Sequence, residues 1–326
     1  MMKISRTGSA TLGPCCFWAV AGGGRPPYSQ GMDTSPRDPA LEIPPYLVRS
    51  PQRQTLPLVL SSPHSGTHYP ESFLAQAALD PETLRRSEDT FVDRLFGEAP
   101  ALGAPLLHAL YPRAYIDVNR EPYELDPQMF TDPLPGYVNP ASPRVAAGLG
   151  TIPRVVGVGA EIYRDRLPFT EACRRIDGVY RPYHAALSEL IARTRTRFGF
   201  CVLLDCHSMP STGPDAGACV ADVVLGDRHG LSCVGDITQV AARFLSAAGL
   251  RVVRNTPYAG GFTTGFYGRP ADGVHVLQIE LARRLYMDEL THAPNGGFAP
   301  LSALLTRLVA LLGEMPPLSL LPRMPP

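Results

Sequence analysis

Three apolar stretches of this sequence lead into groups that can hold a metal or move a proton. The first, Leu58–Ser62, leads to His64. The second, Phe200–Asp205, leads to Asp205-Cys206-His207-Ser208. The third, Val274–Leu281, carries Glu280 within Gln-Ile-Glu-Leu. An unpaired charge is costly to bury, so an imidazole or carboxylate ending a buried run needs a partner there. Two histidines and a carboxylate are what a catalytic zinc needs, with water in its fourth position. A further carboxylate can serve as general base on that water. Glu280 interrupts an apolar strand and suits that task; its plain alternative is a salt bridge to Arg283 or Arg284. Asp205 is either a ligand or the group that orients a histidine. His108, His184, His229 and His292 read as structural.

Asn119-Arg120 is a second grouping. Arginine binds a carboxylate through two parallel hydrogen bonds, and a neighbouring amide adds one more. The alternative is a surface arginine paired with Glu121 or Glu124. Gly260-Gly261-Phe262-Thr263-Thr264-Gly265 offers backbone amides and hydroxyls, as a pocket lining or as a plain turn. The nucleotide-binding glycine fingerprints and the serine-hydrolase elbow are absent. Cys206 lies next to His207, but Cys201 and Cys206 sit in or beside an apolar run and read as small buried hydrophobes.

Elements must carry these groups. The pattern predicts strands at Leu58–Ser62, Ala114–Val118, Phe200–Asp205, Ala221–Leu225 and Val274–Leu281. It predicts helices at Pro81–Phe96, Phe169–Arg195, Leu231–Ala248 and Leu301–Leu312. Strands alternating with helices mean an α/β domain with a mixed, largely parallel central sheet flanked by helices. Ligands of such sheets sit beyond the carboxyl ends of the strands. Residues 121–160, rich in proline and glycine, form a long excursion that is expected to be functional.

The whole chain bounds the reading. Its 326 residues suffice for one large domain, and with 44% apolar and 18% charged residues it is globular. Thirty basic residues balance thirty acidic ones, which gives no field for nucleic acid or an anionic membrane. No apolar run is long enough to span a membrane. Seven cysteines without paired spacing argue against a disulfide framework and for the cytoplasm. Residues 1–40 read as a disordered extension, with Met32 as a candidate true start, and 315–326 as a loose proline-rich tail. A single catalytic domain is expected over 41–314.

Taken together, the motifs resemble the N-formylglutamate amidohydrolase family. The matching segments are Ser-Pro-His-Ser-Gly at 62–66, Asp-Thr-Phe-Val-Asp at 89–93 and Asp-Val-Asn-Arg-Glu-Pro at 117–122. They continue with Pro-Tyr-His at 182–184, Asp-Cys-His-Ser at 205–208, Gly-Gly-Phe-Thr at 260–263 and Gln-Ile-Glu-Leu at 278–281. The resemblance runs from about Tyr46 to Leu312. It implies a phosphorylase/hydrolase-like fold related to zinc carboxypeptidases and aminoacylases, and one zinc or other divalent ion. It implies hydrolysis of an N-acyl amino acid, typically N-formyl-L-glutamate, within histidine degradation. The alternatives are another N-acyl amino acid or small amide, or a non-catalytic metal- or ligand-binding relative.

Residue by residue, the resemblance implies His64 and His207 as zinc ligands and Glu280 as catalytic base. It implies Asn119 and Arg120 as holders of the substrate carboxylate, with Gly261 and Thr263 beside the substrate. The peptidases' ligand pattern would place a glutamate at 67, where this chain has Thr67. A literal match, His68-Tyr69-Pro70-Glu71, has an internal proline that disfavours a shared helical face. Asp89 is therefore the expected third ligand, with Glu71 and Glu88 in reserve.

Overall fold

The computed structural model describes residues 41–157, 159–211, 221–316 and 320–321. The expected extension at 1–40, most of the tail, and Cys15, Cys16 and Cys219 lie outside the described residues. Seven strands form one sheet: β1 Tyr46–Arg49, β2 Leu58–Ser62, β3 Leu106–Ala109, β4 Cys201–Met209, β5 Val223–Gly226, β6 Val252–Arg254 and β7 Val274–Ala282. Their spatial order is β1-β3-β2-β4-β7-β5-β6. Only β1–β3 and β5–β7 are antiparallel neighbours, so the sheet is mixed and mostly parallel.

Helices cover both faces, which is why the central strands read as continuous apolar runs. On one face lie α1 Phe169–Arg175 and α2 Arg181–Phe198, joined by a π-helical turn at Ile176–Tyr180. Gly199, at φ 83°, ends α2 in a left-handed conformation that suits glycine. On the other face lie α3 Gly235–Ala247 and α5 Phe298–Gly313. A short helix, α4 Phe262–Tyr267, follows the glycine pair. Side chains alternate along a strand. Thus Cys201 and Leu203 pack toward α2, while Val202, Leu204 and Cys206 pack toward α3 and α5. Asp205 and His207 follow the first series, as do Gln278 and Glu280 on β7, where Val274 and Val276 share their parity.

Two expected elements take another form. The helix expected over Pro81–Phe96 is two short pieces, Pro81–Arg85 and Val92–Leu95. Between them Asp89 N–H donates to His64 O at 3.0 Å, and Phe91 is left-handed at φ 68°. A tertiary hydrogen bond overrides the helical pattern there. The strand expected at Ala114–Val118 is a turn, in which Tyr115 and Ile116 N–H both bond to Pro112 O. Its apolar residues are buried as a folded loop inside the core. β3, β1 and β6 are short strands that the apolar pattern does not single out. Beyond α5, Leu320 is fully buried and its carbonyl accepts from His275 Nε2 at 2.9 Å, so this part of the tail is held in place.

Candidate metal centre and active site

The loop after β2 delivers His64, the end of β4 delivers His207, and the break between the short helices delivers Asp89. All three are buried. Asp89 Oδ2 lies 3.3 Å from His64 Nδ1 and 3.0 Å from His207 Nδ1. The edges of a tetrahedron with ~2.0 Å metal–ligand bonds are about 3.3 Å long. Asp89 therefore stands at coordination spacing from both histidines, and the three ligand atoms lie within 4.8 Å of one another.

The far nitrogen of each ring is held by an acid. His64 Nε2 lies 2.7 Å from Asp117 Oδ1, and His207 Nε2 lies 3.1 Å from Asp205 Oδ2. A carboxylate oxygen accepts, so each Nε2 carries the hydrogen and each Nδ1 lone pair faces Asp89. Three acceptors then converge, and something positive must sit among them. Without a metal a proton fills that role. Burial disfavours charge on His207, but Asp205 and Asp89 outweigh it and raise its pKa well above the ordinary value. The two histidines in turn hold Asp89 far below the usual carboxylate range, against its burial. The donor set fits a divalent metal of the zinc type, which would displace that proton.

Of the three possible third ligands, only Asp89 is brought to the histidines. Glu71 is exposed on the helix Glu71–Gln76. Glu88 is buried but turned to Tyr69 Oη, Thr90 Oγ1 and Arg85 Nε. Asp205 takes the orienting position. Ser208 Oγ donates to Asp89 Oδ1 at 3.2 Å and fixes its second oxygen.

Glu280 stands opposite His207 in the β4–β7 register. Its Oε1 accepts from Gln278 Nε2 at 2.9 Å. Burial pushes its pKa up to about 8; Asp89 adds to this and His207 opposes it. Arg283 does not pair with Glu280: it bonds the carbonyls of Arg86 and Glu88, with Nη2 3.7 Å from Asp89 Oδ1, and Arg284 binds Asp222. Cys201 and Cys206 are buried thiols whose pKa values burial raises, so neither is a poised nucleophile.

Asn119 and Arg120 lie at the edge of the centre. Asn119 Nδ2 donates to Asp205 Oδ2 at 3.3 Å and lies 3.1 Å from His207 Nε2, and its Oδ1 accepts from Thr263 N–H at 2.8 Å. A Cβ on Gly261 would stand 2.6 Å from that amide, so only glycine permits this approach. Gly261 N–H donates to Gln278 Oε1. Arg120 is buried and bonds the carbonyls of Leu149 and Asn119, with Nη2 3.5 Å from Asp117; it does not pair with Glu121 or Glu124. Burial lowers its pKa to about 10, against the pull of Asp117. Its donors are largely engaged within the protein.

Two residues escape the sequence reading. Asp117 accepts from His64, Asn119 N–H and Arg113 Nη2. Arg113, partly exposed, binds Asp117 at 2.8 Å through Nη2 and also feels the charges of Asp89 and Glu280. Burial opposes its charge, yet these acids raise its pKa. The signal in the sequence is the four-residue spacing of Arg113 and Asp117 ahead of Asn119-Arg120.

Residues 56–287 match the family described as N-formylglutamate amidohydrolase. The chain belongs to that family. An N-formylglutamate deformylase of Pseudomonas aeruginosa is 32% identical over 246 residues, covering 74% of this chain and 86% of the relative. Its namesake from Pseudomonas putida is 31% identical over 242 residues, covering 72% and 83%. The crystal structure of N-formylglutamate amidohydrolase from Ralstonia eutropha is 41% identical, with a TM-score of 0.78 over 83% of this chain and 98% of that one. The match to the N-formylglutamate amidohydrolase family spans His64, Asp89, His207 and Glu280 alike. Among the described residues no helix is long and apolar enough to cross a membrane.

Proposed function

We propose that the chain hydrolyses the amide of an N-acyl amino acid, N-formyl-L-glutamate first, using one zinc ion held by His64, Asp89 and His207. The observation that carries this reading is the convergence of two Nδ1 lone pairs and a carboxylate oxygen, with Glu280 beside them in register. The names of the relatives support the substrate. The four cysteines among the described residues are buried and free, which supports a reducing compartment such as the cytoplasm.

When bound, zinc would polarise the formyl carbonyl and lower the pKa of a water toward 7. The rest falls to the chain. Glu280, on the neighbouring strand, takes the proton of the attacking water and returns it to the leaving amine. Its raised pKa belongs to the protein without a cation; a positive charge nearby brings it down toward the working range of a base. Asp117 and Asp205 keep both imidazoles in the Nε2–H form. Asn119, Gly261 and Thr263 form one wall for the substrate, with Arg120 behind it. Arg113 presents its remaining donors to the substrate's carboxylate or developing oxyanion.

Formate release from N-formyl-L-glutamate, by chelator-stripped protein with and without added zinc, tests the reading. Release restored by zinc supports it. No release from folded, zinc-loaded protein with this substrate, but release from another N-acyl amino acid, would move the specificity. Zinc bound with no hydrolysis of any such amide would overturn the reading in favour of a binding role.

A further inference from the structure

The Pro-Tyr-His segment at 182–184 places no atom in the metal centre, yet it grips the backbone that builds it. His184 Nε2 lies 2.8 Å from Val118 O, and a carbonyl accepts, so Nε2 carries the hydrogen. Nδ1 then accepts from Tyr267 Oη at 2.8 Å. Tyr180, Phe262 and Tyr267 enclose the ring at centroid distances of 4.3, 5.4 and 5.9 Å. One turn earlier, Tyr180 Oη donates to Arg120 O at 2.8 Å. Two carbonyls on either side of Asn119 are thus held by one helix.

That short segment bears on both metal-binding rings. Asp117 precedes Val118 and accepts from His64; Asn119 comes after it and shares Asp205 with His207. Its backbone is in a turn with no strand ladder to hold it. The π-helical turn Ile176–Tyr180 sets the phase of the helix. An inserted residue rotates the part of a helix before it by about 100° relative to the part after it, and such turns often mark functional positions. Tyr180 and His184, four residues apart, emerge on the same side and reach alternate carbonyls of the same segment.

We infer that His184 is a positioning residue for the metal centre: through Val118 O it fixes residues 117–119, and with them the directions in which His64 and His207 present Nδ1. This rests on the proposed metal site. The test is zinc affinity of stripped protein by chelator competition, with the melting temperature of the metal-free form measured beside it. His184→Phe keeps an aromatic ring in the box and removes both hydrogen bonds. It weakens zinc binding by roughly 10- to 100-fold, the range for groups that orient metal ligands. His184→Gln, whose amide can donate to Val118 O, recovers most of the affinity. Zinc binding by His184→Phe equal to the wild type overturns the inference. So does an equal loss in both variants that tracks their melting temperatures, since that marks a packing role alone. If His184→Phe does not fold, Tyr180→Phe removes only the bond to Arg120 O. A several-fold weaker affinity supports the device, and an unchanged one overturns it. Wild-type protein that binds no zinc would instead remove the metal site itself, so the two failures are distinguishable.

Discussion

Two regions of this molecule bury charge on the same face of the sheet, and they treat it in opposite ways. Around Arg175 the charge is closed. The guanidinium is fully buried, its Nε binds Glu171 at 2.7 Å, and its Nη1 donates to Tyr115 O and Tyr163 Oη. Tyr115, Phe73 and Tyr163 lie 4.2, 5.4 and 5.6 Å from it and add cation–π attraction. Around Asp89 the charge is open. The outer nitrogens are held by Asp117 and Asp205, and Asp89 Oδ1 by Ser208 and, at 3.7 Å, by Arg283, while the inward Nδ1 atoms and Oδ2 face one another. A buried ion matched by its own counter-ion holds a fold together. A buried set of acceptors turned toward one point suits a cationic ligand.

Breaking the open region should cost activity, and breaking the closed one stability. The largest effect expected is in Glu280→Gln. Loss of a positioned base lowers kcat by about 10²- to 10⁴-fold, while zinc affinity stays within a few-fold because no ligand is touched. A variant with near-wild-type kcat would remove Glu280 from the base role. Arg175→Met is the counterpart. Removing one partner of a buried pair costs about 3–5 kcal/mol. The low end is expected, because Arg174 also binds both oxygens of Glu171. Denaturant unfolding would show the loss, and the folded fraction should bind zinc like the wild type. Altered zinc affinity there would mean that the two regions are coupled.

The two regions also differ in how they can be read from the chain. His207 and Glu280 are legible because a polar group at the end of a buried strand stands out against period-two apolar neighbours, and the β4–β7 register then brings them together. His64 is legible for the same reason. Asp89 needs the family resemblance, since apolar spacing over Pro81–Phe96 conceals the break at Phe91 that turns it inward. Asp117 and Arg113 are hidden because Ala114–Val118 reads as a strand. Its apolar residues are buried in a loop, and burial alone does not distinguish the two. The π-helical turn is illegible too. One extra residue within a long helical pattern leaves the periodicity almost intact, yet it aims Tyr180 and His184 at the carbonyls of Arg120 and Val118. Of the Arg175 cage the sequence reading holds nothing.

Arg113 sharpens the contrast at the next level of effect. Like Arg175 it touches a buried acid, but only Nη2 is bound to Asp117, and the side chain keeps 23% of its surface exposed beside Glu280 and Asp89. A charge-assisted hydrogen bond contributes about 1.5–3 kcal/mol. Arg113→Met should therefore lower kcat/KM by about 10- to 100-fold with little change in melting temperature. A large loss of stability with unchanged kcat/KM in the folded fraction would place Arg113 with Arg175, as a structural cation.

The smallest expected effect is a pH slope above neutrality, set by the open region. In metal-free protein the folded state holds Glu280 protonated up to about pH 8, whereas the unfolded chain releases that proton near its ordinary value. His207 is likewise raised well above its ordinary value by Asp205 and Asp89, despite burial. Burial lowers His184, His275 and His292, whose opposite contribution is confined to pH values below about 7. Between pH 7 and 8 the folded state thus binds more protons than the unfolded one, and stability must fall as pH rises. Asp89 and Asp117, both lowered, have the opposite sign, but their contribution changes only below about pH 4. Arg175 keeps its proton throughout and adds no slope. The chelated protein should lose on the order of a few degrees of melting temperature from pH 7 to 8. Zinc binding expels the proton between the rings, so the increment it adds to the melting temperature should grow over the same range. Glu280→Gln should flatten the chelated profile without removing the increment. A flat wild-type profile, or an increment that shrinks as pH rises, would mean that the three acceptors do not share a proton in the way their geometry requires.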